Sequence, residues 1–218
     1  MSIINLTALG LTVPHLAVLA LPESSSLFSL TLAAATKCLP IAYLARDAYS
    51  RNASVGAGLA LGMIGDAFLC IDHHGYFAQG LGCFLLGHLA YLRSLHMRNK
   101  DTPLAPVVGA AFAGAGAVVL RSVLLPKVPA ELRVPVSIYV TTILALGWRS
   151  AARLLRANKH KENKSEISKA RVGFAGAISF IVSDLVLALD TFVSPVPFAR
   201  WIVMGTYYAA QLAIAASA

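Results

Sequence analysis

Eight times along the chain the sequence runs for roughly 20 residues with almost no charge, at about 5–22, 27–45, 54–72, 77–96, 104–125, 131–149, 170–190 and 196–216. A helix rising 1.5 Å per residue needs about 20 apolar residues to cross a hydrocarbon core of about 30 Å. Backbone polar groups in lipid must bond within their own segment or within a closed barrel. A barrel would show alternating segments of ~10 residues, and the sequence has none. The chain is therefore expected to be all-α: a polytopic membrane protein, a bundle of eight transmembrane helices forming a single domain over residues 1–218. Composition agrees, with 57% hydrophobic and 13% charged residues, against about 25% charged in soluble domains. The start, MSIINLTALG, lacks the basic region and cleavage site of a signal peptide, so the first run is read as a retained span interrupted by Pro14 and His15.

The net charge of +8 is concentrated in short connections, and no nucleic-acid fold signature accompanies it. Thirteen of the 18 Lys and Arg residues fall on the second, fourth and sixth connections, eight of them between Arg149 and Arg171. Arg121, Lys127, Arg133 and Arg200 fall on the other side, and Lys37 lies inside a span. The positive-inside rule makes the thirteen-residue side cytosolic, with both termini there. The sixth connection is expected to begin as a helical extension and to continue as a solvated basic loop near anionic lipid headgroups. Three glycosylation sequons, at Asn5, Asn52 and Asn163, share this face and should stay unmodified.

Cys38, Cys70 and Cys83 lie within spans and lack the spacing of a zinc site or disulfide framework. Asp72, His73, His74 and Asp190 sit at non-cytosolic span ends, where water reaches them; the histidine pair beside Asp72 is at most a weak metal site. No metal or organic cofactor is expected.

The informative residues are the polar ones in the wrong place. The run from Ala53 to Ile71 carries one charge, Asp66. Counting from the cytosolic ends, Asp66 lies about 18 Å deep and Asp184 about 21 Å deep. From the other side Lys37, His88 and Tyr208 lie about 15, 16 and 18 Å deep. Charged groups at this depth face the bundle interior or a wet cavity. Gly58, Gly62, Asp66 and Cys70 follow one another at i, i+4 and form a small-residue stripe that must face protein. Gly80, Phe84 and His88 share a face with Gly87 and Tyr91 nearby; Gly173, Ala177, Phe180 and Asp184 share another, and Tyr207, Tyr208 and Gln211 a third. A pocket walled by apolar side chains and holding two carboxylates, a lysine, an imidazole and phenols hides all of them from lipid. Plainer roles stand beside this one. Lys37 can pair with Asp66 or with Asp184 merely to fix packing, or can snorkel, and His88, Tyr91, Tyr139, Tyr207, Tyr208 and Gln211 can serve as interhelical hydrogen-bond partners.

Four stretches carry a family resemblance: TKCLP around Lys37; GDAFL with GYFAQGLGCFLLGHLAYL, from Gly65 to Leu92; FIVSDLVLALDTF, from Phe180 to Phe192; and ARWIVMGTYYAAQLAI, from Ala199 to Ile214. In this order and spacing the chain resembles the lysoplasmalogenase family, also called YhhN-like membrane proteins, in particular its animal members. The resemblance implies a multi-pass enzyme of the endoplasmic reticulum membrane. Such an enzyme hydrolyses the vinyl ether bond of lysoplasmalogens to a fatty aldehyde and glycerophosphocholine or glycerophosphoethanolamine. It further implies Asp66 of the GD motif and Asp184 of the SD motif as the catalytic pair. Ser183, Lys37, His88, Tyr91, Tyr139, Tyr207, Tyr208 and Gln211 are then expected around a lysophospholipid substrate among membrane lipids, with homo-oligomerisation left open.

The chemistry fits two acids. A vinyl ether is hydrolysed by protonating its β carbon, which creates an oxocarbenium ion for water to capture. One carboxyl group must deliver the proton while a second, ionised one stabilises the cation and activates water, a division glycosidases also use. Two rival readings share the residues: a proton-coupled transporter or channel, for which intramembrane Asp, Lys and His are equally natural, and a lipid-binding scaffold in which they are only glue. Aldehyde release by purified protein separates the three.

Overall fold

The computed structural model describes residues 6–19, 27–72, 75–98 and 105–218. Among these residues there is no strand, and eight α-helices follow in chain order: α1 (Leu6–Leu19), α2 (Leu27–Arg51), α3 (Ala53–Ile71), α4 (Phe77–Arg98), α5 (Ala105–Val118), α6 (Arg133–Lys159), α7 (Lys164–Phe192) and α8 (Ala199–Ala216). The segments 53–71, 106–124, 130–159 and 164–192 are long and apolar enough to cross a membrane, and the shorter Thr7–Leu19 is apolar as well. α2, α4 and α8 carry the polar groups Lys37, His88 and Gln211, all within the bundle interior or at its cavity.

Sequence neighbours pack as antiparallel pairs: α2 with α3, α3 with α4, α6 with α7 and α7 with α8. α4 packs on α6, and α8 closes onto α2 and α3, so that these helices surround one core. α1 lies outside against α2 and α8, and α5 lies outside against α6. In lipid, helices associate through close packing rather than through the hydrophobic effect, so small residues decide where backbones can meet. The α3–α4 contact is built that way. A methyl group on Gly87 would stand 2.9 Å from the carbonyl oxygen of Gly58, and one on Gly58 would collide with the Tyr91 ring. The Gly58, Gly62, Asp66 stripe therefore does face protein, against α4 and, through Gln211, against α8.

Local signals explain several helix ends. Asn52 starts α3 by accepting from the N–H groups of Ser54 (3.1 Å) and Val55 (3.3 Å), while its amide donates to Ser94 of α4 at 2.8 Å. Such caps are worth about 1 kcal/mol. Asn163 begins α7 likewise, accepting from Glu166 N–H at 2.9 Å.

Three expectations need correction. α1 runs through Pro14 without a break, and His15 Nδ1 meets Thr36 Oγ1 of α2 at 3.1 Å, tying the two helices together. The sixth connection is not a long solvated loop. α6 continues to Lys159, α7 starts at Lys164, and only His160 to Asn163 turn the chain, with Lys161 in the left-handed region at φ 49°. The basic residues other than Lys161 sit on helix extensions, where straight-chain Lys and Arg are good helix formers. The fifth span does not stay α-helical: Val119–Leu124 widen into a π-helical turn, and Leu125 N–H bonds back to Leu120. Asn5, His73 and His74 lie outside the described residues.

Candidate active site

A cavity of about 310 Å³ lies in one half of the bundle. Its lining comes from Asp66 and Leu69 late in α3, Phe77 to Phe84 early in α4, the end of α5 with its π turn, Val136 to Leu144 early in α6, Ile181 to Phe192 late in α7 and Val203 to Tyr207 early in α8. All of these are the helix halves remote from the basic connections. The wall is overwhelmingly apolar, and its Leu124, Val136 and Phe192 belong to a second apolar cluster with Val128 and Leu189. The polar side chains on it are Lys37, Asp66, Tyr139, Ser183, Asp184, Thr191 and Tyr207.

Asp66 is almost wholly buried, its side chain 2% exposed. Lys37, which α2 brings against α3, places Nζ 3.0 Å from Asp66 Oδ1. Tyr207 donates its hydroxyl proton to Asp66 Oδ2. Behind Tyr207 a chain of buried groups continues: Gln211 Nε2 donates to Tyr207 Oη at 2.9 Å, and Tyr91 Oη donates to Gln211 Oε1 at 3.0 Å. Tyr208, on the neighbouring face of α8, reaches the Lys37 carbonyl at 3.5 Å.

Asp184 is held differently. Its side chain is 20% exposed. Tyr139 of α6 donates to Asp184 Oδ2 at 2.5 Å. His88 Nε2 lies 3.8 Å from the same oxygen and 3.4 Å from Tyr139 Oη. The imidazole is sandwiched among Tyr91, Tyr139 and Phe180, which fix its plane. Ser183, next in the chain, does not bond the carboxylate; its hydroxyl donates to the Val203 carbonyl at 3.1 Å and joins α7 to α8.

The sequence-predicted residues thus fall into two sets. Lys37, Asp66, Tyr139, Ser183, Asp184 and Tyr207 reach the cavity. His88, Tyr91, Tyr208 and Gln211 are buried behind its wall; His88, Tyr208 and Gln211 touch the first set, and Tyr91 is joined to it through Gln211. Of the two partners open to Lys37, the structure selects Asp66. Reading the sequence missed the apolar lining from Ala115, Gly116, Val119 and Leu124; an apolar residue facing a cavity and one facing lipid look alike in a sequence. Among the described residues no group of three or more His, Cys, Asp or Glu side chains is arranged to hold a metal ion. Asp72 and Asp190 are exposed and cap loops, accepting from Gly75 N–H and Val196 N–H.

Fold and site together define an all-α membrane protein whose helices enclose two acids at the end of an apolar chamber. The chain belongs to the YhhN family, whose model matches residues 25–218. It is 35% identical over 211 residues to lysoplasmalogenase TMEM86A of Homo sapiens, covering 92% of this chain and 82% of that one. Lysoplasmalogenase TMEM86A of Bos taurus is 34% identical over the same shares, and lysoplasmalogenase TMEM86B of Homo sapiens is 32% identical over 85% of this chain and 75% of its own. No solved structure gives a significant match.

Proposed function

We propose that the protein is a lysoplasmalogenase, hydrolysing the vinyl ether bond of a lysoplasmalogen to a fatty aldehyde and a glycerophospho-alcohol by acid/base catalysis between Asp66 and Asp184. The observation that carries this reading is that both carboxyl groups open onto the same cavity of about 310 Å³. The names of the relatives support the substrate class. The volume is at the lower end of the ~300–1,000 Å³ common for ligand pockets, which suits one hydrocarbon chain rather than two. Phe77, Leu81, Val136 and Phe192 would flank the alkenyl chain, and the vinyl ether would lie where the apolar wall gives way to the acids. Lys37 and Tyr207 hold Asp66 and Tyr139 holds Asp184 from the cavity wall itself, while His88, buried behind it, acts by positioning rather than by touching lipid.

Orientation follows the charge pattern. With thirteen basic residues cytosolic, both termini face the cytosol and the cavity occupies the opposite half of an endoplasmic reticulum membrane. Native glycan on Asn52 or Asn163 would invert that orientation.

The test is direct. Purified protein in detergent, given lysoplasmalogen, should release aldehyde, and a folded Asp184→Asn variant should release it at least about 100-fold more slowly. Absence of release by the wild-type protein, with substrate movement into sealed vesicles instead, would favour a transporter.

A further inference from the structure

We infer that the two aspartates enter the reaction in opposite states: Asp66 carries the negative charge, and Asp184 carries the proton delivered to the vinyl carbon. This assignment rests on the lysoplasmalogenase reading above and divides the roles within it.

The hydrogen-bond inventory separates them. Both oxygens of Asp66 are engaged by donors, Oδ1 by the Lys37 ammonium at 3.0 Å and Oδ2 by the Tyr207 hydroxyl. The direction of the Tyr207 proton is fixed from behind. A phenol has one proton to give; because Tyr207 Oη accepts from Gln211 Nε2, whose Oε1 accepts in turn from Tyr91, the Tyr207 proton is left for Asp66. A carboxyl group meeting a cation and a committed donor is an acceptor on both oxygens, which is the ionised form. Asp184 has no lysine or arginine within ion-pair distance among the described residues; His88 Nε2 stands 3.8 Å from its Oδ2, and that oxygen accepts from Tyr139. Its Oδ1 makes no hydrogen bond to a described residue, and the side chain is the more exposed of the two and lines the cavity, so Oδ1 is left to carry a proton on the side open to substrate.

The cycle closes on this arrangement. Asp184 gives its proton to the β carbon, the π electron pair forms the new C–H bond, and the α carbon becomes an oxocarbenium ion stabilised by the Asp66 carboxylate. Water adds to the α carbon and its proton passes to Asp66, leaving a neutral hemiacetal. In the collapse Asp184 takes the hemiacetal hydroxyl proton as the C=O bond forms, the bond to the glycerol oxygen breaks, and Asp66 protonates that oxygen. Both acids regain their starting states, and one water is consumed for one aldehyde and one alcohol.

Infrared spectroscopy of purified protein without substrate, in H₂O and D₂O near neutral pH, reads protonated carboxyl groups directly. The wild-type protein should show a buried, deuterium-sensitive carboxyl C=O band. Asp184→Asn should lose it. The charge-balanced double variant Lys37→Met/Asp66→Asn, which removes the ion pair without stranding either partner, should keep it. A band that persists in Asp184→Asn, vanishes in the double variant or is absent from the wild type overturns the assignment. Failure of the underlying activity would appear separately, as no aldehyde from the wild-type sample that gave the band.

Discussion

The two halves of the bundle are built to opposite specifications. On the side of the basic connections the helices are packed solid. Gly56 backs onto Tyr49, Gly58 onto Tyr91, and Gly173 onto Ser217, while Arg51 and Arg153 donate to the carbonyls of Ala215 and Ser217 at 3.2 Å. The void there, beside Ser150 and Arg153, measures about 20 Å³, the scale of a single water. On the other side the same helices diverge around a chamber about fifteen times larger, with α5 and its π turn completing the wall. The acids lie where packed and hollow halves meet. Glycines let backbones approach in both halves, Gly58 against Gly87 in one and Gly65 against Gly80 in the other, but around the chamber aromatic and branched side chains line the space between the helices. The difference teaches that rigidity and access are assigned to different ends of the same helices, so changes in the two halves should fail in different ways.

The largest effect belongs to the boundary. Replacing Asp184 by Asn should lower the rate of aldehyde release by about 10²–10⁴-fold, the range for a lost general acid, with the melting temperature in detergent nearly unchanged. Asp66→Asn should lose both activity and stability, because it leaves the Lys37 ammonium buried without its partner, an error that costs about 3–5 kcal/mol. Equal melting temperatures for the two variants would break the distinction between their surroundings.

Filling the hollow half comes next. Ala188 lines the cavity from α7, and Ala188→Phe should reduce kcat/KM about tenfold or more, since hydrocarbon misfit in a pocket is worth about 1–3 kcal/mol. The loss should fall mainly on KM, and shorter alkenyl chains should suffer less. In the packed half, Gly58→Ala drives a methyl group into the Tyr91 ring and the Gly87 carbonyl. Overpacking of this kind costs about 1–3 kcal/mol, so thermal unfolding in detergent should come earlier. The smallest effect is expected from Gln211→Leu, which cuts the link between Tyr91 and Tyr207. One buried hydrogen bond is worth about 0.5–1.5 kcal/mol, and kcat should drop up to about tenfold with KM unchanged.

Much of this was legible in the sequence, for identifiable reasons. Helix centres follow from apolar length, and the Gly58, Gly62, Asp66 stripe marks the protein-facing side of α3 because a carboxylate in lipid is untenable. The widened turn at Val119–Leu124 and the tight turn at His160 to Asn163 were not legible, since neither Gly nor Pro marks them. Nor were the pairings. Whether Lys37 meets Asp66 or Asp184 depends on the rotation of α2 against α3, and the bond from Tyr139 to Asp184 depends on which faces of α6 and α7 meet. These are properties of packing between helices, and the periodicity of a single helix does not encode them.

Turnover in D₂O reads directly whether a fixed acid in the chamber protonates the vinyl ether on carbon. Aldehyde reduced as it forms should carry one solvent-derived deuterium at the carbon next to the former carbonyl, in a single configuration, because Asp184 approaches the double bond from one face. Aldehyde without deuterium at that carbon, or with both configurations in equal amounts, would contradict the account.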